Sequence, residues 1–184
     1  MLTITVPACN REDWDEINNE FVYVNFPEKT ITLEHSLVSL SKWEAKWEKP
    51  FLGKQDKTKE EALDYIRCMT ITQNIDPVIY EHLGSDNIEK INRYIDAKMT
   101  ATTITDRRLN KPNHEIFTSE LLYYYMIAYG IPFECQKWHL NRLLMLISIC
   151  SIKNQTDNKM SKKEVYDRNR AINEMNRQKF KSKG

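Results

Sequence analysis

Glycine is scarce in this chain. Of 184 residues only Gly53, Gly84, Gly130 and Gly184 are glycine, and no two are adjacent. A loop that cradles phosphate through backbone amides needs several glycines within a few positions, so neither a GxGxxG turn nor a P-loop can be built here, and no nucleophile elbow is present. The four cysteines, Cys9, Cys68, Cys135 and Cys150, lie far apart and form no CxxC pair. They are read as buried free thiols rather than as zinc or redox ligands. His35, His82, His114 and His139 fall in different predicted elements. Cys135 and His139 are one helical turn apart, but no second pair completes a metal site. The expectation is therefore no catalytic residue, no metal, no cofactor and no enzymatic activity. Long apolar runs are missing too: Leu121–Tyr129 and Leu143–Ser151 fall well short of the ~20 residues that cross a bilayer. No membrane partner is expected. Met1–Pro7 alternates like a strand and acidic residues follow at once, which is unlike a signal peptide and leads us to expect a cytoplasmic chain.

What is present can bury one sizeable core, since 41% of the residues are hydrophobic. The length favours one domain. The formal net charge of +1 conceals a division, because residues 1–152 carry 17 Lys+Arg against 22 Asp+Glu while residues 153–184 carry 10 against 4. A body of −5 thus precedes a stretch of +6, the pattern of a basic arm that meets an acidic surface or a nucleic acid.

Periodicity orders the body. Leu2–Val6, Phe21–Val24 and Thr30–Leu33 alternate or are β-branched, with Pro7 and Pro27 as punctuation, and predict a small N-terminal antiparallel sheet. From Ser36 the period becomes helical: Leu37, Leu40, Trp43 and Trp47 share a face, Ser36 caps the start and Pro50 ends the run. Trp43 and Trp47 are read as anchors to the core. Thr58–Glu61 has the form of a capping box and opens a helix over 59–71. Asp76-Pro77 starts a short helix ending at Gly84, and Ser85 is expected to cap another with Ile88, Ile91 and Ile95 as its stripe. The acidic residues Asp13, Asp15, Glu60, Glu61 and Asp64 are assigned to solvated loops or helix N-termini. Residues 98–115 read as a strand or extended excursion. Beyond them two helices, apolar around their whole circumference, are predicted to form a buried hairpin turned at Gly130-Ile131-Pro132 and sealed by Phe133 and Trp138. Tyr123, Tyr124 and Tyr125 cannot all enter one core, so at least one phenol reaches a polar partner or a surface groove.

The predicted class is α+β, mostly α, with one globular domain over 1–154 (strand-rich over 1–34, helical over 35–154) and a basic helical or disordered arm over 155–184. The arm's apolar stripe, Val165, Ile172 and Met175, is too thin to offset the entropy of ordering it, so it is expected to order on a partner. Arg168, Arg170, Asn173 and Arg177 on the arm, with Tyr124 on the domain, are the candidate partner contacts. Six net charges without interleaved aromatics do not argue for specific nucleic-acid readout. A nucleic-acid-binding module is the least favoured reading.

An ordered string of motifs adds a resemblance. Leu33-Glu34-His35-Ser36-Leu37, Ser41-Lys42-Trp43-Glu44, Pro50-Phe51-Leu52, Tyr65-Ile66-Arg67-Cys68-Met69 and Met99-Thr100-Ala101-Thr102-Thr103 are followed by Ser119-Glu120-Leu121-Leu122-Tyr123-Tyr124, Ile131-Pro132-Phe133-Glu134-Cys135 and Lys137-Trp138-His139-Leu140-Asn141-Arg142-Leu143-Leu144. With the closing Arg-Asn-Arg-rich stretch, this string resembles the tail assembly chaperones of long-tailed bacteriophages, some relatives of which are labelled baseplate hub subunits. The resemblance runs from residue 30 onward. It implies a non-catalytic protein of the host cell cytoplasm that binds the hydrophobic tape measure protein and helps recruit tail tube protein. It also implies self-association and departure before the mature virion is complete. A permanent baseplate hub or tail component is the alternative. No residue-level site comes with the resemblance.

Overall fold

The computed structural model describes residues 1–16, 18–53, 55–103, 116–157, 166–167 and 169–175. The chain divides into two compact units, residues 1–147 and 148–184.

The first unit is an α+β domain, mostly helical, that opens on a long β-hairpin. Four strands, β1 (Leu2–Val6), β2 (Cys9–Asp15), β3 (Glu20–Phe26) and β4 (Lys29–Leu33), form two antiparallel ladders, β1 with β4 and β2 with β3. Both ladders share one register: Leu2 lies opposite Leu33 and Val6 opposite Lys29, then Cys9 opposite Phe26 and Asp15 opposite Glu20. Equal numbers of residues separate the ladders on either side, so this is one ribbon interrupted where Pro7 and Pro27 cannot donate to a ladder. The break also changes which face is covered. In the proximal half Ile4 and Val6 are buried with Ile31 and Leu33, whereas beyond the prolines it is Phe26, with Cys9 and Val24 partly covered, that joins the same core. The sequence reading missed β2. Its string Cys-Asn-Arg-Glu-Asp-Trp-Asp has no apolar alternation, and it is held extended by its pairing with β3 across a turn in which Asn19 has φ +53°, a conformation Asn tolerates.

Then come, among the described residues, α1 (Leu37–Trp47), α2 (Lys59–Met69), α3 (Val78–Glu81), α4 (Ser85–Asp96), α5 (Ser119–Ala128) and α6 (Leu140–Asp157), with a 3₁₀ turn over Phe133–Lys137. Ser36 and Ser39 form a reciprocal capping box at α1, and Thr58 and Glu61 form another at α2. At α4 the expectation fails, because Gly84 occupies the cap and Ser85 is already inside the helix. Gly84 supplies no side-chain oxygen, so no side-chain cap bond forms. The edge of β4 is closed by the chain leaving α2: Ile71 N–H donates to Thr32 C=O at 2.9 Å and Glu34 N–H to Met69 C=O at 2.8 Å. Helix α4 packs on β1, where the Asn87 amide donates to Thr5 C=O at 3.0 Å.

The core runs from Ile4, Ile31 and Leu33 through Trp43, Tyr65 and Met69 to Ile91 and Tyr94. Trp43 and Trp47 anchor α1 on α2: Trp43 Nε1–H donates to Glu61 C=O at 2.8 Å and Trp47 Nε1–H to Asp64 Oδ2 at 2.9 Å. Glu61 lies in the first turn of α2, one of the two places expected for it, but neither it nor Asp64 is solvated: they are 3% and 4% exposed. A buried carboxylate persists only when paired. Here Lys49 reaches Glu61 at 2.6 Å and Lys46 reaches Asp64 at 2.5 Å. The Lys49 ammonium, then the Thr58 backbone amide, hold the Glu61 carboxyl below its ordinary range. Glu44, also buried, accepts from Phe51 N–H at 2.8 Å and Ser119 N–H at 2.6 Å. It thereby ties the loop after α1 to the start of α5.

The helix hairpin turns at Gly130, whose φ is +63°, and contributes Leu122 and Met126 from α5 and Leu140 and Leu143 from α6 to the fully buried side chains. The outer side of α5 differs from the expectation of apolar residues buried all round. Tyr124 and Ile127 are 61% and 65% exposed, and Phe133, expected to seal the turn, is 54% exposed. Trp138 is half-buried with the Arg142 guanidinium 4.0 Å over its ring. Lys98–Thr103 is non-helical, and the rest of the excursion predicted for 98–115 lies outside the described residues.

Candidate partner-binding surface

Helix α2 presents Ala62, Leu63 and Ile66 toward Ile88, Ile91 and Ile95 of α4, and the two rows enclose a half-open groove of about 490 Å³. The i, i+3, i+7 spacing of the isoleucines explains why α4 has a strong apolar stripe. Only part of that stripe is absorbed by the core. Ile91 is buried, and Ile88, Ile95 and Leu63, partly buried against the same core, form the walls with what surface they leave uncovered. Tyr65 and Tyr80, both buried, complete the lining. Among the described residues, four polar ones also line it: Lys59, Glu81 and Asn92 are exposed, and Lys57 is partly buried with its ammonium 4.3 Å over the Phe51 ring. The surface can take up apolar side chains in rows, which is what one face of an amphipathic helix supplies.

A second apolar surface is the outer side of α5. Of the three consecutive tyrosines, Tyr123 finds a polar partner, its hydroxyl donating to Gln136 Oε1 at 3.0 Å. Tyr125 stacks on Tyr129 with ring centroids 5.9 Å apart. Tyr124 points outward beside Ile127. The sequence argument for an outward phenol therefore holds, and Tyr124 occupies an exposed position in the first unit.

The strongest cluster of titratable groups lies in the core. Histidines assigned to separate elements meet there: the His35 and His139 rings are 4.9 Å apart, joined by the bridge between Ser36 and His139 and by Leu140 N–H donating to His35 C=O at 2.9 Å. The Tyr65 hydroxyl lies 2.6 Å from His35 Nδ1. Burial pushes the Tyr65 phenol up, so it remains protonated and donates to a neutral imidazole. Burial, and then the neighbouring His139, lower His35 to about 4. His139 Nε2 lies 2.9 Å from the Tyr94 carbonyl, to which it donates, and its pKa is also lowered, mainly by burial. His35 is 2% exposed, so no solute can meet it without the core opening. The geometry describes an uncharged structural network. Among the described residues no group of three His, Cys, Asp or Glu could hold a metal ion, and no helix is long and apolar enough to cross a membrane.

In the second unit, residues 166–167 and 169–175 are helical where described. Arg170 and Asn173 are exposed, and Arg170 Nε pairs with Glu174 Oε1 at 3.2 Å, one turn on. Arg168 and Arg177 lie outside the described residues. Sequence reasoning missed the α2–α4 groove. Its signal, Ile88, Ile91 and Ile95 facing Leu63 and Ile66, was visible as two core stripes, and only the packing shows that they do not close on each other. Compared with known proteins, the chain matches no protein-family model, no curated protein and no solved structure.

Proposed function

We propose that this protein is a non-catalytic tail assembly chaperone of a long-tailed bacteriophage, which binds the tape measure protein and assists assembly of the tail tube. The observation that carries the reading is the half-open groove between α2 and α4, whose walls are mainly apolar side chains. A coiled-coil-forming client offers the complementary object, an apolar helix face with anchors at i, i+3 and i+7. The exposed Tyr124, Ile127 and Phe133 extend the apolar area available to such a client. The ordered motifs from Leu33 to Leu144 support the same reading through their resemblance to this group of chaperones. The protein acts in the host cell cytoplasm and leaves the finished particle.

Co-expression with the tape measure protein tests this. The client should stay soluble and co-migrate with this chain in a sized complex, and a Leu63→Glu, Ile88→Glu variant should lose it. A client that precipitates alike with and without this chain would refute the reading. Stoichiometric retention of the chain in purified particles would replace the chaperone with a permanent tail component.

A further inference from the structure

We infer that the α2–α4 groove selects a client helix whose apolar row is flanked at one end by Asp or Glu, the carboxylate pairing with Lys57. The inference rests on the reading of this groove as the client site and adds the chemistry that the site selects. Lys57 is partly buried, its ammonium 4.3 Å from the centroid of the Phe51 ring and 6.0 Å from that of Trp43. Its surroundings are fixed on both sides. Phe51 is held by its N–H, which donates to Glu44 Oε1 at 2.8 Å, and by stacking on Tyr65 with ring centroids 3.9 Å apart. The next residue along the chain, Thr58, caps α2 and donates its N–H to Glu61 Oε2 at 2.8 Å. A ring face attracts an ammonium but offers its N–H donors no oxygen acceptor. The nearby Lys46 and Lys49 are paired with Asp64 and Glu61, whereas among the described residues Lys57 pairs with no carboxylate.

The charge of the lining is one-sided. Lys57 and Lys59 line the groove where α2 begins, and the helix start adds the positive end of its dipole. Asp56 and Glu60 are exposed and lie outside the lining. Glu81 lines the groove as well, but it is paired with Arg67 at 3.5 Å. Arg67 stands a little over two turns beyond Lys59 on α2, about 12 Å along the axis at ~1.5 Å per residue. One end of the groove is therefore cationic and the other is balanced. Between them, Leu63 and Ile66 face Ile88 and Ile95, rows that suit about two turns of a docked helix with anchors at i, i+3 and i+7. A carboxylate beside the end anchor meets Lys57 partly shielded from bulk water, where an ion pair is stronger than on an open surface. A helix without an acid there covers the ammonium and gives it no acceptor, which costs free energy. Charge thus fixes which end of the client lies over the start of α2.

Fluorescence anisotropy with the full chain and two labelled synthetic helical peptides tests this. Both peptides carry leucines at i, i+3 and i+7; one has Glu on the turn before the first leucine and the other has Gln there. The wild-type protein should bind the Glu peptide about fivefold more tightly. That preference should shrink as salt rises from about 0.05 to about 0.5 M. Lys57→Met keeps an apolar stem over Phe51 and removes the charge, and should cut the preference to about twofold or less. Comparing both peptides on both proteins cancels any difference in the peptides' own helicity. Leu63→Glu with Ile88→Glu should bind neither peptide. Far-UV circular dichroism checks that each variant is folded, and the salt series on the wild type decides the matter even if one is not. Equal binding of the two peptides by the wild type, or a preference that is insensitive to salt or undiminished in Lys57→Met, overturns this inference and leaves the groove as the client site. Failure of both peptides to bind, or binding that survives Leu63→Glu with Ile88→Glu, overturns the groove reading and the inference with it.

Discussion

Acidification should loosen this domain before its carboxylates titrate, because His35 is buried neutral. Its folded pKa is lowered to about 4 from the ordinary 6.5, so between those values the unfolded chain binds a proton that the folded chain does not. Stability is complete above pH 6.5 and is lost as pH falls toward 4. A gap of about 2.5 pKa units at ~1.36 kcal/mol each gives a full loss of about 3 kcal/mol, of which about 2 kcal/mol has gone by pH 5. His139, lowered in the same direction, adds to the loss with the same sign. Glu61 and Glu120 have pKa values below their ordinary 4.5, so their stabilisation persists at pH 5 and is lost only below 4.5. The two windows separate the contributions. The assay is urea unfolding followed by tryptophan fluorescence at pH 7.5 and pH 5, for the wild type and for His35→Gln. The variant should be less stable at pH 7.5, because Tyr65 loses an imidazole acceptor that fits its position. It should also lose less between the two pH values, by about 2 kcal/mol. Equal losses in the two proteins would show that His35 is not the proton acceptor and refute the reasoning.

Two further outcomes follow from the same packing. Glu44→Ala leaves the buried amides of Phe51 and Ser119 without their shared acceptor and should cost about 2–4 kcal/mol by urea titration, whereas Glu44→Gln, which keeps one acceptor oxygen, should cost less. Tyr124→Ala, at a side chain 61% exposed, should move stability by no more than about 0.5 kcal/mol while reducing capture of the tape measure protein in a pull-down.

Local chemistry was legible in the sequence wherever neighbours in the chain decide the outcome. The capping boxes at Ser36 and Thr58, the strands β1 and β4 and the punctuation at Pro7, Pro27 and Pro50 all follow from residues a few positions apart. The tryptophans of α1 were legible because two indoles on one apolar stripe have few uses but packing. What escaped is decided by partners far along the chain. Strand β2 is extended because β3 pairs with it, not because its own residues prefer that. Glu61 and Asp64 are buried because Lys49 and Lys46 of the α1 region reach them, a contact no helix-local rule predicts. His35 and His139 meet only once the turn before α6 docks beside α1. The candidate site divides in the same way. Outward exposure of a tyrosine near 124 could be argued from crowding alone. The α2–α4 groove could not, since two apolar stripes that fail to close look the same in sequence as two that do.

Amide hydrogen exchange of the full-length protein, with and without a helical segment of the tape measure protein, tests the central claim most directly. Exchange should slow in α2 around residues 62–66 and in α4 around residues 88–95, the rows that line the groove. Unchanged exchange in both helices, with protection confined to other parts of the chain or absent, would contradict it.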